Sequence, residues 1–212
     1  MESGGRRTDR GFDTSRPAGS FLEVVRGVLV EPARFFAGLG GPRPDRVKGP
    51  LIFAIICALI SSPFAFFLQR YDPLAPRQPD MVSGFSSMFQ DNPAAAIALA
   101  VLLVALLPLF VALGVYIGAA VQHFFVFLFV RERRGYWGTF PVVAYGGAAI
   151  SLFSWMPILG YLASLYGIYI TTVGLKEMHG TTTTRALLAT LVPSLFGLAG
   201  VISSLLFPFP GS

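Results

Sequence analysis

The sequence predicts an all-α membrane protein: a five-span transmembrane helical bundle with an N-terminal interfacial amphipathic helix. Three observations predict this fold. Hydrophobic residues make up 54% of the 212 residues and charged residues only 13%, well below the roughly 25% charged content of soluble domains. Several apolar runs reach the length of about 20 residues that a helix needs to cross a hydrocarbon core. Basic residues are distributed very unequally among the segments between these runs.

Residues 1–18 are expected to form a flexible cytoplasmic tail. The segment is rich in Gly, Arg and Asp and has a single aromatic residue, so it cannot bury enough surface to offset the entropy of ordering. Its length and its acidic residues are unlike those of a cleavable signal peptide. The first apolar run is therefore interpreted as a retained span.

Residues 19–48 are predicted to form amphipathic interfacial helices. Ser20 with Glu23 three residues later is the arrangement in which two side chains satisfy the unpaired amides of a helix start, so a helix should begin there. Pro32 should divide the segment into two short helices. Their apolar face, which includes Phe35, could lie in the headgroup plane of the bilayer or pack against the protein's own spans. The sequence leaves both arrangements open.

Five apolar runs follow, and each is interpreted as a transmembrane helix. They cover residues 49–68, 94–130, 136–154, 157–175 and 186–207, and residues 208–212 would form an external tail. The second run is about 55 Å long as one helix, well beyond the hydrocarbon thickness. Pro108 could therefore mark a hairpin that would divide this run into two spans.

The distribution of Lys and Arg decides between five and six spans. Five spans place 14 of the 16 basic residues on one side of the membrane, whereas six spans divide them nine to seven. Basic residues mark the cytoplasmic side. We therefore predict five spans in the plasma membrane, a cytoplasmic N terminus, an external C terminus and an external loop between the first two spans.

Small residues recur at helical spacing in the later runs. Helices associate in lipid through close backbone approach at such residues, so the third, fourth and fifth spans should contact one another. The predicted packing positions are Gly114, Gly118, Gly147, Gly160, Gly167, Gly174, Gly197 and Gly200. The same stripes could form a homodimer face instead.

No acidic residue falls inside the five runs. Ionisable residues inside spans are the usual sign of proton relays, ion coupling and intramembrane catalysis. The sequence therefore argues against a proton-coupled transporter and a paired-aspartate protease. No cofactor is predicted, and nucleic acid is not an expected partner because the basic bias is explained by membrane orientation or by anionic lipid.

Metal binding has few candidate ligands. Zinc needs three or four ligands from Cys, His and carboxylate, and the chain has two histidines and one cysteine. His179 and Glu177 with His123 could form a minimal set, since both histidines fall at the predicted cytoplasmic side. A metal-dependent membrane hydrolase is thus a remote alternative.

The connectors "RERRGYWGTFP" and "KEMHGTTTTR" are interpreted first as helix ends. In the second connector, Lys176 complements the negative end of the preceding helix and Gly180 can end it in a left-handed conformation. The functional alternative is that both connectors and the leader converge as one basic cytoplasmic surface for anionic lipid or an acidic protein partner. The candidate residues are Arg26, Arg34, Arg131, Arg133, Arg134, Lys176, Glu177, His179 and Arg185.

The order of these features resembles the Yip domain family of Ypt/Rab-interacting, five-span membrane proteins. The resemblance rests on "EPARFFAGL", "GPLIF", "QHFFVFLF" and the block from "GTFPVVAYGG" through "LKEMHGTTTTRALLATLVPSLF". The short leader and loops are typical of prokaryotic members. The resemblance implies a five-span topology and a nonenzymatic role, which in eukaryotic relatives is connected with Rab-type GTPases, vesicle trafficking and membrane shaping.

The sequence thus favours a nonenzymatic multi-pass protein that organises lipids or protein partners at the membrane. A channel, transporter or lipid scramblase is the alternative, with a groove lined by Ser61, Ser62, Gln122 and His123.

Overall fold

The computed structural model describes residues 11–68, 87–88, 90–131, 134–156 and 158–206, with side chains as far as residue 65 in the first range and 195 in the last. Within these residues the fold is all-helical, as predicted. The helices are α1 (Pro17–Val30), α2 (Pro32–Gly38), α3 (Lys48–Leu68), α4 (Pro93–Phe129), α5 (Tyr136–Pro141), α6 (Ala148–Ser154), α7 (Leu159–His179) and α8 (Thr183–Leu206). A π-helical segment, Val142–Gly147, joins α5 to α6, and a short 3₁₀ turn, Pro44–Arg46, precedes α3.

Each predicted apolar run lies in a helical stretch of this structure. Two of the described helices are long and apolar enough to cross a membrane: α3 over Lys48–Ala65 and α4 over Pro93–Phe129. The second run is a single helix of 37 residues with Pro108 inside it. The expected hairpin alternative is therefore absent from the described residues.

The surface of α4 is strongly apolar. Val101 and Leu109 are each 63% exposed and Phe124 is 57% exposed, and only 6% of the apolar stretch of α4 is buried within the protein. The core helix of a soluble protein would be mostly buried, because a continuous exposed apolar surface is unfavourable in water. Lipid tails are the environment that fits this helix.

The first helix begins one turn earlier than the capping motif predicts. Pro17 occupies the first turn of α1, where the fixed φ and the missing amide of proline fit well. Ser20 does not cap this helix; its hydroxyl accepts the backbone N–H of Asp13 at 2.6 Å. The division at Pro32 is observed, since α1 ends at Val30 and α2 begins at Pro32.

The apolar face of α1 and α2 packs against the protein's own helices. α2 contacts α7, and the hydroxyl of Tyr166 on α7 donates to the carbonyl of Leu29 at 2.6 Å. Four apolar side chains of this face are at most 2% exposed: Val24, Val28, Phe35 and Phe36. Of the two arrangements that the sequence leaves open, packing against the protein's own helices is the one observed for these four side chains.

An aromatic cluster around Tyr145 attaches the N-terminal segment to the helices. The ring of Tyr145 lies 5.3 Å from that of Phe35 and 5.4 Å from that of Phe53. Its hydroxyl accepts the backbone N–H of Phe12 at 2.9 Å, and Phe12 is only 7% exposed. Phe12, in the segment expected to be a flexible tail, is thus packed against the helices; residues 1–10 lie outside the described residues.

Four of the predicted packing glycines lie at close contacts. A Cβ at Gly160 would be 2.6 Å from the Ser154 carbonyl oxygen, and one at Gly174 would be 2.7 Å from Val142 Cγ1. The third helical stretch consists of α5, the π-helical segment and α6. A Cβ at Gly167 would be 3.4 Å from Ile150 of this stretch, and one at Gly118 would be 3.6 Å from Val143. Glycine on α7 thus allows close approach to α2, α6 and the π-helical segment, and Gly118 on α4 lies against the π-helical segment.

Two of the predicted packing glycines make no close contact within the described chain. A Cβ at Gly114 or Gly147 would meet nothing within 4 Å. On α4 the packed positions are Val115 and Ala119, which lie about 100° and about 140° around the helix from Gly114. In the third stretch the π-helical turn shifts the phase, so that Gly146 rather than Gly147 faces α7.

Several predictions concern residues that the structure does not describe. The side chains around Gly197 and Gly200 and the position of Arg133 lie outside the described residues. Most of the expected external loop and the external tail at 208–212 do so as well.

We predict that Gly174→Ala destabilises the protein, whereas Gly147→Ala does not. The added methyl group at 174 would overlap Val142 and the buried ring of Phe36, at a cost of about 1–3 kcal/mol. At 147 the same change meets open space and gains about 1 kcal/mol of helix propensity. Melting temperatures of the purified proteins in one detergent measure both effects, and equal shifts for the two variants would contradict the packing described here.

Candidate functional site

His179 joins the C-terminal end of α7 to the connector that precedes α5. It is the last residue of α7 and is 1% exposed. The backbone N–H of Arg134 donates to its Nδ1 at 3.1 Å. This bond attaches the "RERR" connector to the end of α7.

Thr139 connects the two histidines of the chain. Its Oγ1 lies 3.0 Å from Nε2 of His179 and 2.9 Å from Nδ1 of His123 on α4. The two imidazole rings are stacked with centroids 6.1 Å apart. Because the Arg134 amide donates to Nδ1, the neutral ring of His179 carries its proton on Nε2, which donates to Thr139. One threonine hydroxyl thus links α4, α5 and α7.

Burial lowers the pKa of His179 to about 4 from an ordinary value of 6.5. Desolvation penalises the charged imidazolium, and the neighbouring His123 and Arg134 add a smaller repulsion in the same direction. His179 is therefore neutral near pH 7. Its neutrality is what allows Nδ1 to accept the hydrogen bond from the connector.

The end of α7 has the predicted left-handed termination. Gly180 has φ +66° and its N–H bonds to the carbonyl of Lys176. The Arg134 guanidinium lies close to Gly180, with Nη2 3.1 Å from where a Cβ would stand. Both the left-handed backbone and this contact favour glycine here.

The histidine cluster does not form a metal site. Glu177, the third expected ligand, instead forms an ion pair with Lys176 at 3.6 Å. Nε2 of His179 and Nδ1 of His123 both face the same threonine hydroxyl. No group of three His, Cys, Asp or Glu residues within the described ranges could hold a metal ion.

A hydrolytic role for this cluster is also unsupported by the geometry. The pair formed by Thr139 and His179 has the spacing of a nucleophile and a base. Thr139, however, is fully buried, so its hydroxyl cannot meet a substrate. The threonines at 181–184, which neighbour His179 in sequence, are not its hydrogen-bond partners in the described contacts.

The polar groove expected for a channel or scramblase is occupied by structural hydrogen bonds. Ser61 donates to the carbonyl of Cys57 at 2.8 Å, within its own helix. Gln122 on α4 donates to the carbonyl of Ala189 on α8 at 2.9 Å, and His123 is bonded to Thr139. Gln122 and His123 therefore link α4 to neighbouring helices, while the hydroxyl of Ser61 is satisfied within α3.

The predicted basic residues lie on four different parts of the fold. Arg26 on α1 and Arg34 on α2 are exposed, and Arg34 pairs with Glu31 at 3.1 Å. Arg131 and Arg134, in the connector before α5, and Arg185, in the first turn of α8, are exposed as well. The structure brings Arg134 and His179 into direct contact, while Arg26 and Arg34 lie on the packed N-terminal helices.

Sequence reasoning missed Thr139 and Tyr145, the two residues that organise this end of the protein. Thr139 is a single hydroxyl at the start of an apolar run, and Tyr145 looks like any interfacial aromatic residue. Tyrosine and threonine inside an apolar run need hydrogen-bond partners when buried. This requirement could have marked Thr139 and Tyr145 as residues with buried hydrogen bonds, but it does not identify the partner residue.

Comparison with known families gives one match. The family model described as the Yip1 domain matches residues 26–204, which is most of the chain and includes the histidine cluster. Neither the curated proteins nor the solved structures compared with the chain contain a significant match.

We predict that His179 makes stability depend on pH. The unfolded chain binds a proton at this histidine below about pH 6.5, whereas the folded protein does so only below about pH 4. The neutral His179 therefore contributes up to about 3 kcal/mol to the free energy of unfolding above pH 6.5, and this contribution is lost as the pH falls from about 6.5 to about 4. His179→Asn keeps an acceptor near the Arg134 amide but cannot titrate. Its melting temperature should be lower near neutral pH and fall less on acidification than that of the wild type, and parallel pH curves would contradict the assignment.

Proposed function

The chain belongs to the Yip1 domain family, and we propose that it is a five-span membrane protein whose inner connectors form a basic surface for anionic lipid or an acidic protein partner. Proteins of this family are nonenzymatic membrane proteins. The proposal therefore concerns binding and organisation at the membrane, and not catalysis.

The five-span arrangement is supported by the helices and by the charges together. Large apolar side chains are exposed on four helices, including Phe64 on α3, Leu109 on α4, Leu165 on α7 and Leu195 on α8. Fourteen of the sixteen basic residues lie on one side of the membrane if all five runs cross it. We infer a plasma-membrane protein with an inner N terminus and an outer C terminus.

The observation that carries the binding proposal is the link between the two inner connectors. The Arg134 amide and the ring of His179 fix the connector before α5 to the end of α7. Exposed arginines stand on both sides of this link, at 131, 134 and 185. Cations near a membrane surface each attract anionic lipid by about 1 kcal/mol, so a fixed group of them favours binding to anionic partners.

The N-terminal helices would contribute charge rather than an inserted apolar face. Their buried aromatic residues, Phe35 and Phe36, are committed to the protein core. The exposed side of α1 carries Arg26 together with Leu22, which is 68% exposed. This side remains accessible to lipid or to a protein partner.

The lipid part of the proposal is tested with the full chain in nanodiscs of phosphatidylcholine. Arg131→Gln with Arg185→Gln should reduce flotation with added vesicles that contain phosphatidylglycerol, by about tenfold in apparent affinity. Vesicles of phosphatidylcholine alone should not bind. The matched control removes two arginines from the predicted outer side, Arg70→Gln with Arg77→Gln, and should have little effect. Equal losses in both double variants would contradict a dedicated inner surface.

The topology is tested separately with reporter fusions. A reporter after Thr182 should be cytoplasmic and one after Gly84 should be external, because an odd number of spans separates them in the five-span arrangement. Protease protection or reporter activity in intact cells gives the answer. Reporters on the same side would refute five spans.

A further inference from the structure

A cavity of about 560 Å³ lies beside the inner end of the helices, apart from the histidine cluster. Its walls come from four places: the N-terminal segment near Phe12, the stretch from Leu39 to Pro50, the start of the third helical stretch near Trp137, and Met178 near the end of α7. These parts are held together by the aromatic cluster around Tyr145, which also borders the cavity. The cavity is thus built by the fold and not by one loop.

The lining is rich in cations. Arg16, Arg43, Arg46 and Lys48 border the cavity, against the two carboxylates of Asp13 and Asp45. Asp13 is already bonded to Ser15, by both the amide and the hydroxyl, and lies 3.5 Å from Nε of Arg16. The four cations and two carboxylates of the lining leave it with a net charge of +2. This balance favours an anionic ligand.

The remaining wall is apolar and aromatic. Phe12, Leu39, Trp137 and Phe140 face the same space as the cations. Small-molecule sites commonly combine such a wall with a few polar groups and occupy about 300–1,000 Å³. The volume exceeds what an inorganic phosphate ion needs, so the shape fits an anionic group attached to an organic body.

The position of the cavity indicates where this organic body comes from. Lys48 and Gly49 line it and form the first turn of α3, the helix whose apolar stretch begins at Lys48. The first turn of a membrane helix lies at the level of the lipid phosphates when its apolar part occupies the hydrocarbon core. The positive end of the helix dipole adds to the attraction for an anion at this point.

We propose that this cavity binds the phosphate-bearing headgroup of an anionic phospholipid. Arg43 and Lys48 contact the phosphate, and the aromatic wall contacts the glycerol and the upper acyl chains. This inference rests on the proposed function in that both place anionic lipid at the inner face. It adds a defined and saturable site for a single lipid molecule.

The test uses the purified full chain in a neutral detergent, with melting temperature as the measure of binding. The probes are short-chain phosphatidic acid, short-chain phosphatidylcholine, glycerol 3-phosphate and inorganic phosphate. Phosphatidic acid should stabilise the wild type in a saturable manner, and the other three should do so weakly or not at all. Arg43→Gln with Lys48→Gln should weaken the apparent affinity for phosphatidic acid by about tenfold or more. The matched control, Arg70→Gln with Arg77→Gln on the predicted outer side, should bind like the wild type.

Three results would overturn the proposal. The first is that phosphatidylcholine stabilises the wild type as much as phosphatidic acid does. The second is that the Arg43→Gln and Lys48→Gln double variant responds to phosphatidic acid like the wild type. The third is that glycerol 3-phosphate stabilises the wild type as much as phosphatidic acid does, which would assign the site to a soluble phosphate compound. If the double variant does not fold, the single substitutions replace it. If the wild type floats with anionic vesicles but shows no saturable stabilisation by phosphatidic acid, the cavity site is refuted and the basic surface stands. If it is stabilised by phosphatidic acid but does not float with anionic vesicles, only the basic surface is refuted.

Discussion

The environment of Tyr145 is the constraint on which the rest of the described structure depends. Its ring touches Phe35 of α2 and Phe53 of α3, and its hydroxyl holds the amide of Phe12. Gly49 leaves space for this arrangement, because a Cβ there would be 3.0 Å from the Phe12 carbonyl oxygen. The N-terminal segment, the two short helices, the first long helix and the third helical stretch therefore share one aromatic centre. The cavity and the position of the connection before α3 follow from it.

The interior of the bundle is polar in places but carries no buried charge among the described residues. Hydroxyl groups such as those of Ser61, Ser164 and Thr190 donate to carbonyls one turn back in their own helices, which satisfies them without a partner helix. His179 is also buried, and it stays neutral near pH 7 because burial lowers its pKa. Helices that face lipid gain little from apolar contact with one another, so a few hydrogen bonds and close glycine contacts define their arrangement.

The sequence predicts the helices of this fold well because apolar length and charge distribution act along the chain. Positions 94–130, for example, form one helix as the charge distribution predicts. The sequence does not predict features that depend on the rotation of a helix about its axis or on partners distant in the chain. The phase of the third helical stretch changes at its π-helical turn, so the expected contact at Gly147 moves to Gly146. The convergence of His123 and His179 could be suspected from topology, but Thr139 between them could not, since three separate helices must meet before its hydroxyl has a role.

The length of α4 gives this end of the protein a mechanical link to the bilayer. Its 37 residues span about 55 Å, whereas the hydrocarbon core is about 30 Å thick. A helix with such an excess accommodates it by tilting, and the tilt depends on the local bilayer thickness. Gln122 and His123 attach the C-terminal part of α4 to α8 and α5. If α4 crosses the bilayer, a change in bilayer thickness that alters its tilt would therefore also turn the helices and the connector bonded to it.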